Sequence, residues 1–260
     1  MDYGLTNKVI IVTGGATGIG KAIAQAFHDE GAIVVTNGRD EARLQQALCD
    51  IGPRAYGIRA DLTKLEDNET LYEYARSFGP IEGLVNNIGI FESKDFFEFD
   101  DARWFEYFDS NIMTGVRMCR LVLKDMLARN SGSVLFISSD AAIKAIPWMV
   151  PYSMTKAAQL GLARALAEIT KGTKVRVNTL MPGPTATESV RTYFGQIAEQ
   201  KGVTYDEVLT NYFKENEPSS LIQTLIAPDY HGRAAVAMMT NPAINGSVLR
   251  CEGGIVRSSY

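Results

Sequence analysis

Short runs of apolar residues recur along the chain, separated by longer stretches with helical spacing. "KVIIVT" (8–13), "AIVVTN" (32–37), "AYGIRA" (55–60), "IEGLVNN" (81–87), "SVLFIS" (133–138), "KVRVNTL" (174–180) and "GSVLRC" (246–251) read as strands. Their apolarity is mostly continuous rather than alternating, the pattern of strands covered on both faces of a parallel sheet. "GKAIAQAFHDEG" (20–31), "DEARLQQALCDIG" (40–52), the run 101–129 and the run 152–171 read as helices. This alternation predicts an α/β fold: a doubly wound parallel sheet of about seven strands in three layers, α/β/α. No linker, low-complexity tract or repeat divides the chain, so residues 1–260 are expected to form a single domain. Residues 184 to about 228 break the rhythm and carry Tyr193, Phe194, Tyr212 and Phe213. An insertion this long after a strand is expected to cover a ligand site at the sheet's carboxyl edge, with plain helical packing as the alternative.

Composition narrows the function. A net charge of -4 and a pI near 5.4 argue against a nucleic-acid partner, which requires a basic face, and give no reason to expect a membrane surface. The three cysteines, Cys49, Cys119 and Cys251, are odd in number and far apart, which fits neither a disulfide framework nor a zinc cluster. Only two histidines, His28 and His231, are present, with no metalloprotease or serine-hydrolase motif around them. The first residues lack a secretory pattern, so the expected location is the cytoplasm, with no metal.

"TGGATGIG" (13–20) follows the first strand and opens a helix. Such a turn presents backbone N–H groups and the positive end of a helix to a diphosphate. Its glycines fit G-x-x-x-G-x-G: Gly14 for the turn, Gly18 for close approach of the backbone, and Gly20 for packing of helix on strand. Thr17 and Ile19 lie between them in the same cradle. At the end of the second strand, Gly38 stands where an acid would select NAD, and Arg39 follows. A guanidinium forks onto a phosphate, so this pair points to NADP(H), with NAD(H) as the alternative. Asp40 next to it reads as the N-cap of the following helix.

Tyr152 and Lys156 lie four apart in a segment that Pro151 suits to a helix start, so they share a face. A phenol titrates near pH 10, and a neighbouring ammonium and the helix amino end would lower that value. A shift of about three units takes roughly 4 kcal/mol and would make Tyr152 a usable proton donor and acceptor. Ser139 directly follows the strand "SVLFIS", where its hydroxyl is able to bond the same substrate oxygen. Three groups around one C–O bond, beside a nicotinamide, is the arrangement that reduction of a carbonyl needs.

The chain resembles the compact, single-domain branch of the short-chain dehydrogenase/reductase family. The resemblance spans essentially the whole length: "TGGATGIG", "ADL" (60–62), "NNIG" (86–89), Asn111, "ISS" (137–139), "YSMTK" (152–156), "PGPTAT" (182–187) and "EGG" (252–254). It implies a Rossmann-type fold and a catalytic tetrad of Asn111, Ser139, Tyr152 and Lys156. By that resemblance Tyr152 is the general acid–base and Ser139 polarises the carbonyl. Lys156 lowers the tyrosine pKa and binds the nicotinamide ribose, and Asn111 holds a water in a proton relay. It also implies cofactor contacts at Asp61 and Leu62 (adenine), Asn87 and neighbouring Gly89 (ribose side), and Pro182, Gly183 and Thr185 (carboxamide). Thr187 would lie near the diphosphate. Family members commonly pair long helices into dimers or tetramers, so a homodimer or homotetramer is expected.

The expected substrate is a small carbonyl or alcohol, with Phe91, Ile146, Trp148 and Met149 as an apolar wall. Lys144 and Arg191 are the alternative, as partners for an anionic tail. Two rival functions stand beside this one: a 3-oxoacyl thioester (acyl-carrier-protein) reductase, and a non-catalytic cofactor-sensing regulator with the same fold.

Overall fold

The computed structural model describes residues 2–258. Seven strands form one sheet: β1 (Val9–Val12), β2 (Ile33–Gly38), β3 (Ala55–Arg59), β4 (Ile81–Asn86), β5 (Ser133–Ile137), β6 (Arg176–Pro182) and β7 (Val248–Cys251). Their order is β3-β2-β1-β4-β5-β6-β7, and every pairing is parallel. The chain winds outward in both directions from β1 and β4, so the crevice between their carboxyl ends is the place where such sheets receive ligands.

Helices cover both faces, as the continuous apolar runs predict. α1 (Gly18–Asp29), α2 (Glu41–Ile51), α3 (Leu65–Arg76), α4 (Asp101–Phe108), α5 (Thr114–Arg129), α6 (Val150–Ile169), α7 (Glu188–Lys201), α8 (Tyr205–Glu215) and α9 (Pro228–Thr240) follow in chain order. Ile10, Val12 and Val34 face a core with Phe27 of α1 and Val236 and Met239 of α9. Ile11, Val35, Leu84 and Phe136 face the other, with Leu71 of α3 and Met118 and Val122 of α5. Gly232 of α9 lets two helices touch: a Cβ there would lie 2.7 Å from the Ala22 carbonyl oxygen of α1.

Two features depart from the sequence expectation, and the segment after Pro184 gains a definite form. The run 101–129 is two helices joined by a π-helical turn, Asp109–Met113, whose extra residue per turn re-aims Asn111. The segment after Pro184 folds into α7 and α8, with their own small core of Phe194, Ala198 and Val208. α3 and α9 were not expected at all. The first is strongly polar on its outer face, and the second carries a glycine and a buried histidine in mid-helix.

Candidate active site

A cleft of about 730 Å³ opens at the carboxyl ends of β1, β2 and β4. Its floor is the glycine turn. Gly14 and Gly18 have φ of 64° and 56°, left-handed values that glycine adopts without strain. A Cβ on Gly20 would lie 2.5 Å from the Gly14 carbonyl oxygen, so helix and turn close up only on glycine. Residues of β2 pin the turn from below: Gly15 N donates to Thr36 Oγ1 (2.8 Å) and Gly14 N to Asn37 Oδ1 (3.0 Å). Asn87 ties it to β4, its Nδ2 donating to Thr13 O at 3.0 Å. The first turn of α1 has no side-chain cap from Thr17 and no acidic residue. Its free N–H groups and positive dipole end therefore remain for an anion.

Thr17, Ile19, Asn87 and Gly89 line the same cleft. Thr187 caps α7 and lies across the turn, with its Cγ2 3.3 Å from the position of a Gly18 Cβ. At the far end Gly38, Arg39, Asp61 and Leu62 form the wall. Arg39 is exposed, and Arg59 donates from Nε to the Arg39 carbonyl at 3.2 Å. Arg43, one helical turn on, also reaches the wall, although nothing in its sequence position distinguished it. Asp40 is the helix cap, accepting from Arg43 N at 3.1 Å. Asp61 accepts from the Thr63 hydroxyl (2.8 Å), which holds the loop after β3.

The other end is built from buried side chains. Tyr152 and Lys156 both line the cleft, with the Lys156 ammonium 5.6 Å from the Tyr152 ring centre. Lys156 Nζ donates to the Ile137 carbonyl at 2.8 Å. Ser138 Oγ fixes the backbone of α6 by donating to the Lys156 carbonyl, also at 2.8 Å. Asn111 clamps three segments: Ile90 N donates to its Oδ1 (2.7 Å), and its Nδ2 donates to Ile90 O (3.1 Å) and Thr155 Oγ1 (2.9 Å). A Cβ on Gly89 would stand 3.4 Å from both Asn111 Oδ1 and Lys156 Nζ, so glycine leaves that corner open.

The electrostatics correct one expectation. Burial pushes the Tyr152 phenol up to about 12, reinforced by Asp140 and Tyr107 and opposed by the neighbouring Ser139 hydroxyl. Burial also pushes Lys156 down to about 7. With Nζ bonded to the Ile137 carbonyl, desolvation of both groups outweighs the stabilisation that either ion lends the other.

Ser139 does not stand alone either. Its hydroxyl donates to Asp140 Oδ1 at 2.7 Å and accepts from Ala141 N at 3.1 Å. Asp140 is buried, and that burial raises its pKa to about 6. Sequence reasoning passed over Asp140, whose only signal was a charge inside an otherwise apolar stretch. The Lys144 ammonium pairs with buried Glu217, Arg191 Nε donates to the Ala186 carbonyl, and neither side chain lines the cleft.

Phe91 meets Tyr152 edge-on, ring centres 6.1 Å apart, and lines the cleft with Tyr193 of α7. Ile146, Trp148 and Met149 belong to the loop before α6 and are not part of the lining. Pro182 ends β6 and Gly183 and Thr185 follow it, and all three lie outside the lining. Gly183 packs on the backbone of Glu252, and Thr185 Oγ1 bonds His231 Nε2 at 2.8 Å. Among the described residues there is no cluster of His, Cys, Asp or Glu able to hold a metal, and no helix is long and apolar enough to cross a membrane.

A glycine-floored crevice at the switch point of an all-parallel sheet defines a dinucleotide-binding α/β protein. The short chain dehydrogenase family profile matches residues 8–197, and the chain belongs to that family. It is 43% identical over 262 residues to the uncharacterized oxidoreductase YvrD of Bacillus subtilis, covering 99% of this chain and 100% of the relative. It is 26% identical over 255 residues to the 3-oxoacyl-[acyl-carrier-protein] reductase FabG of Haemophilus influenzae, covering 98% and 100%. L-sorbose reductase from Gluconobacter frateurii, solved with NADPH and L-sorbose, superposes with a TM-score of 0.93 at 28% identity, covering 99% of this chain and 100% of that one. The protein is an oxidoreductase of the short-chain dehydrogenase/reductase family.

Proposed function

We propose that the protein reduces a small carbonyl compound, or oxidises the matching alcohol, with NADP(H) and with Tyr152 as general acid–base. One observation carries this reading: a single cleft is lined at one end by the glycine turn and Arg39 and at the other by Tyr152 and Lys156. The character of its two ends fits a nicotinamide dinucleotide, whose bound nicotinamide supplies or accepts a hydride. Gly14, Thr17, Gly18, Ile19, Gly20 and Thr187 hold the diphosphate. Arg39, beside Gly38, receives the 2′-phosphate, and the NADPH-bound neighbour supports that choice over NAD(H). Asp61 and Leu62 flank the adenine, and Asn87 and Gly89 the ribose side. Pro182, Gly183 and Thr185 serve the carboxamide end from their place at the carboxyl end of β6.

At the reacting end Tyr152 Oη gives a proton to the carbonyl oxygen in reduction and takes it back in oxidation. Ser139 shares that oxygen once its hydroxyl turns from Asp140. Lys156 binds the ribose, and its ammonium stabilises the phenolate left on Tyr152; Asn111 holds the corner. Phe91, Tyr193 and the α7–α8 segment wall the substrate end. Exposed Phe97 and Phe105, at 90% and 73% exposure, support pairing of copies in the region of α4 as a homodimer or homotetramer. Three free cysteines suit a reducing cytoplasm.

The test is NADPH oxidation, followed by absorbance, over a panel of simple ketones, hydroxyketones and acetoacetyl thioesters. Turnover of ketones or hydroxyketones supports the reading. Preference for the thioesters would move it to the acyl-carrier-protein reductases, as the FabG similarity allows. Tight NADPH binding without turnover of any carbonyl would leave the regulator and sink the enzyme.

A further inference from the structure

Gln159 lies one turn beyond Lys156 on α6, and it is buried to 2% exposure with no apolar role of its own. Its Nε2 donates to the main-chain carbonyl of Asn111 at 2.6 Å, and its Oε1 accepts from Lys156 Nζ at 3.4 Å. The two ends of this amide are not interchangeable. Asn111 O only accepts and an ammonium only donates, so the nitrogen must face the π turn and the oxygen must face the lysine. Residues i and i+3 share a helix face, which puts the amide directly beside the ammonium.

The setting makes that contact matter. Lys156 is buried and has two acceptors, the Ile137 carbonyl and Gln159 Oε1. The ionisable groups in this corner are Tyr152 on its own helix, Tyr107 on α4 and Asp140 after β5. Tyr107 and Asp140 act on Tyr152, burial pushes Lys156 down, and both hydrogen-bond acceptors of Lys156 are neutral. The ammonium therefore depends on neutral dipoles, as a buried cation without a carboxylate must. The Asn111 carbonyl is engaged by Gln159.

We propose that Gln159 is a positioning residue for the reaction: it couples the π turn at Asn111 to Lys156, and so sets the orientation and charge of the ammonium that serves Tyr152. The inference rests on the oxidoreductase reading above, but its central test does not need turnover. Lysines carrying ¹³C at Cε are titrated by NMR in the full-length protein, with the Lys156 signal identified by its loss in Lys156→Met. Gln159→Met keeps the volume and removes the acceptor, so Lys156 should titrate lower than in the wild type by about half a unit or more. Gln159→Glu brings a carboxylate and should raise it by at least about one unit. In turnover, Gln159→Met should lower kcat by about tenfold with KM little changed, and the limb of the kcat profile that belongs to Lys156 should move in the same two directions.

If Lys156 titrates as in the wild type in both variants, Gln159 is packing and the proposal is wrong. Should Gln159→Met not fold, the upward shift in Gln159→Glu decides alone. Wild-type turnover by Lys156→Met would defeat the oxidoreductase mechanism instead, and the NMR titration would still return its own answer.

Discussion

The adenosine end of the cleft and the tyrosine end are built from different material. The first is backbone: a glycine turn with left-handed φ at Gly14 and Gly18, open N–H groups, and an exposed Arg39. The second is a buried side-chain network in which Tyr152, Lys156, Asn111, Gln159, Ser139 and Asp140 each take part in holding another. A backbone site costs little to maintain, because N–H groups at a helix start have no other partner. A buried polar network is expensive, since each ionisable group has lost its water. That cost is visible in Tyr152 pushed up to about 12 and Lys156 pushed down to about 7. The two ends should therefore fail differently when mutated, one losing affinity and the other losing chemistry while gaining stability.

The largest expected effect lies at the buried end. Tyr152→Phe removes the only proton donor proposed for the carbonyl oxygen and should lower turnover by about 10³-fold or more, measured with saturating NADPH. Next comes the backbone end. Gly18→Val forces a branched side chain into a φ of 56° and against Thr187, and calorimetry should show NADPH binding about 100-fold weaker.

A smaller effect separates stability from function at Lys156. Its folded pKa lies below the unfolded value, so the folded protein binds the proton less readily than the unfolded chain. The resulting cost is fully present below about pH 7 and disappears as pH rises toward the unfolded value of 10.5. Lys156→Met should thus be more stable than the wild type by about 2 kcal/mol at pH 6, with the gap narrowing at pH 9, as urea unfolding at the two pH values would read. An equal gap at both would show that Lys156 is not the titrating group. The smallest effect is at the exposed end: Arg39→Asp should weaken NADPH about tenfold or more and leave NADH nearly unchanged. Equal losses for both would remove Arg39 from the 2′-phosphate.

The same contrast explains what was legible in the sequence. Strands buried on both faces are continuous apolar runs, and all seven read correctly to within two residues at most of their ends. The glycine turn is contiguous, so "TGGATGIG" carried its whole geometry in eight letters. Tyr152 and Lys156 are local to one helix and were equally plain. What remained hidden depends on distance in the chain. Thr36 and Asn37 pin the turn across 21 and 23 residues, Gln159 reaches Asn111 across 48, and Lys144 finds Glu217 across 73. No local spacing announces such pairs. Asn111 itself was readable only through family resemblance, because the π turn that re-aims it looks like ordinary helix in sequence. Gln159 did leave a trace: a polar residue on the buried stripe of α6, at the spacing 152, 156, 159, where apolar packing alone would place none.

The most direct test crosses both ends in one experiment: NADPH affinity and turnover measured on the same preparations of Tyr152→Phe and Gly18→Val. The predicted pattern is Tyr152→Phe binding NADPH within about twofold of the wild type with turnover lost, and Gly18→Val losing affinity about 100-fold. Loss of NADPH binding in Tyr152→Phe, or its retained turnover, would contradict the division of the cleft into a cofactor end and a proton-transfer end.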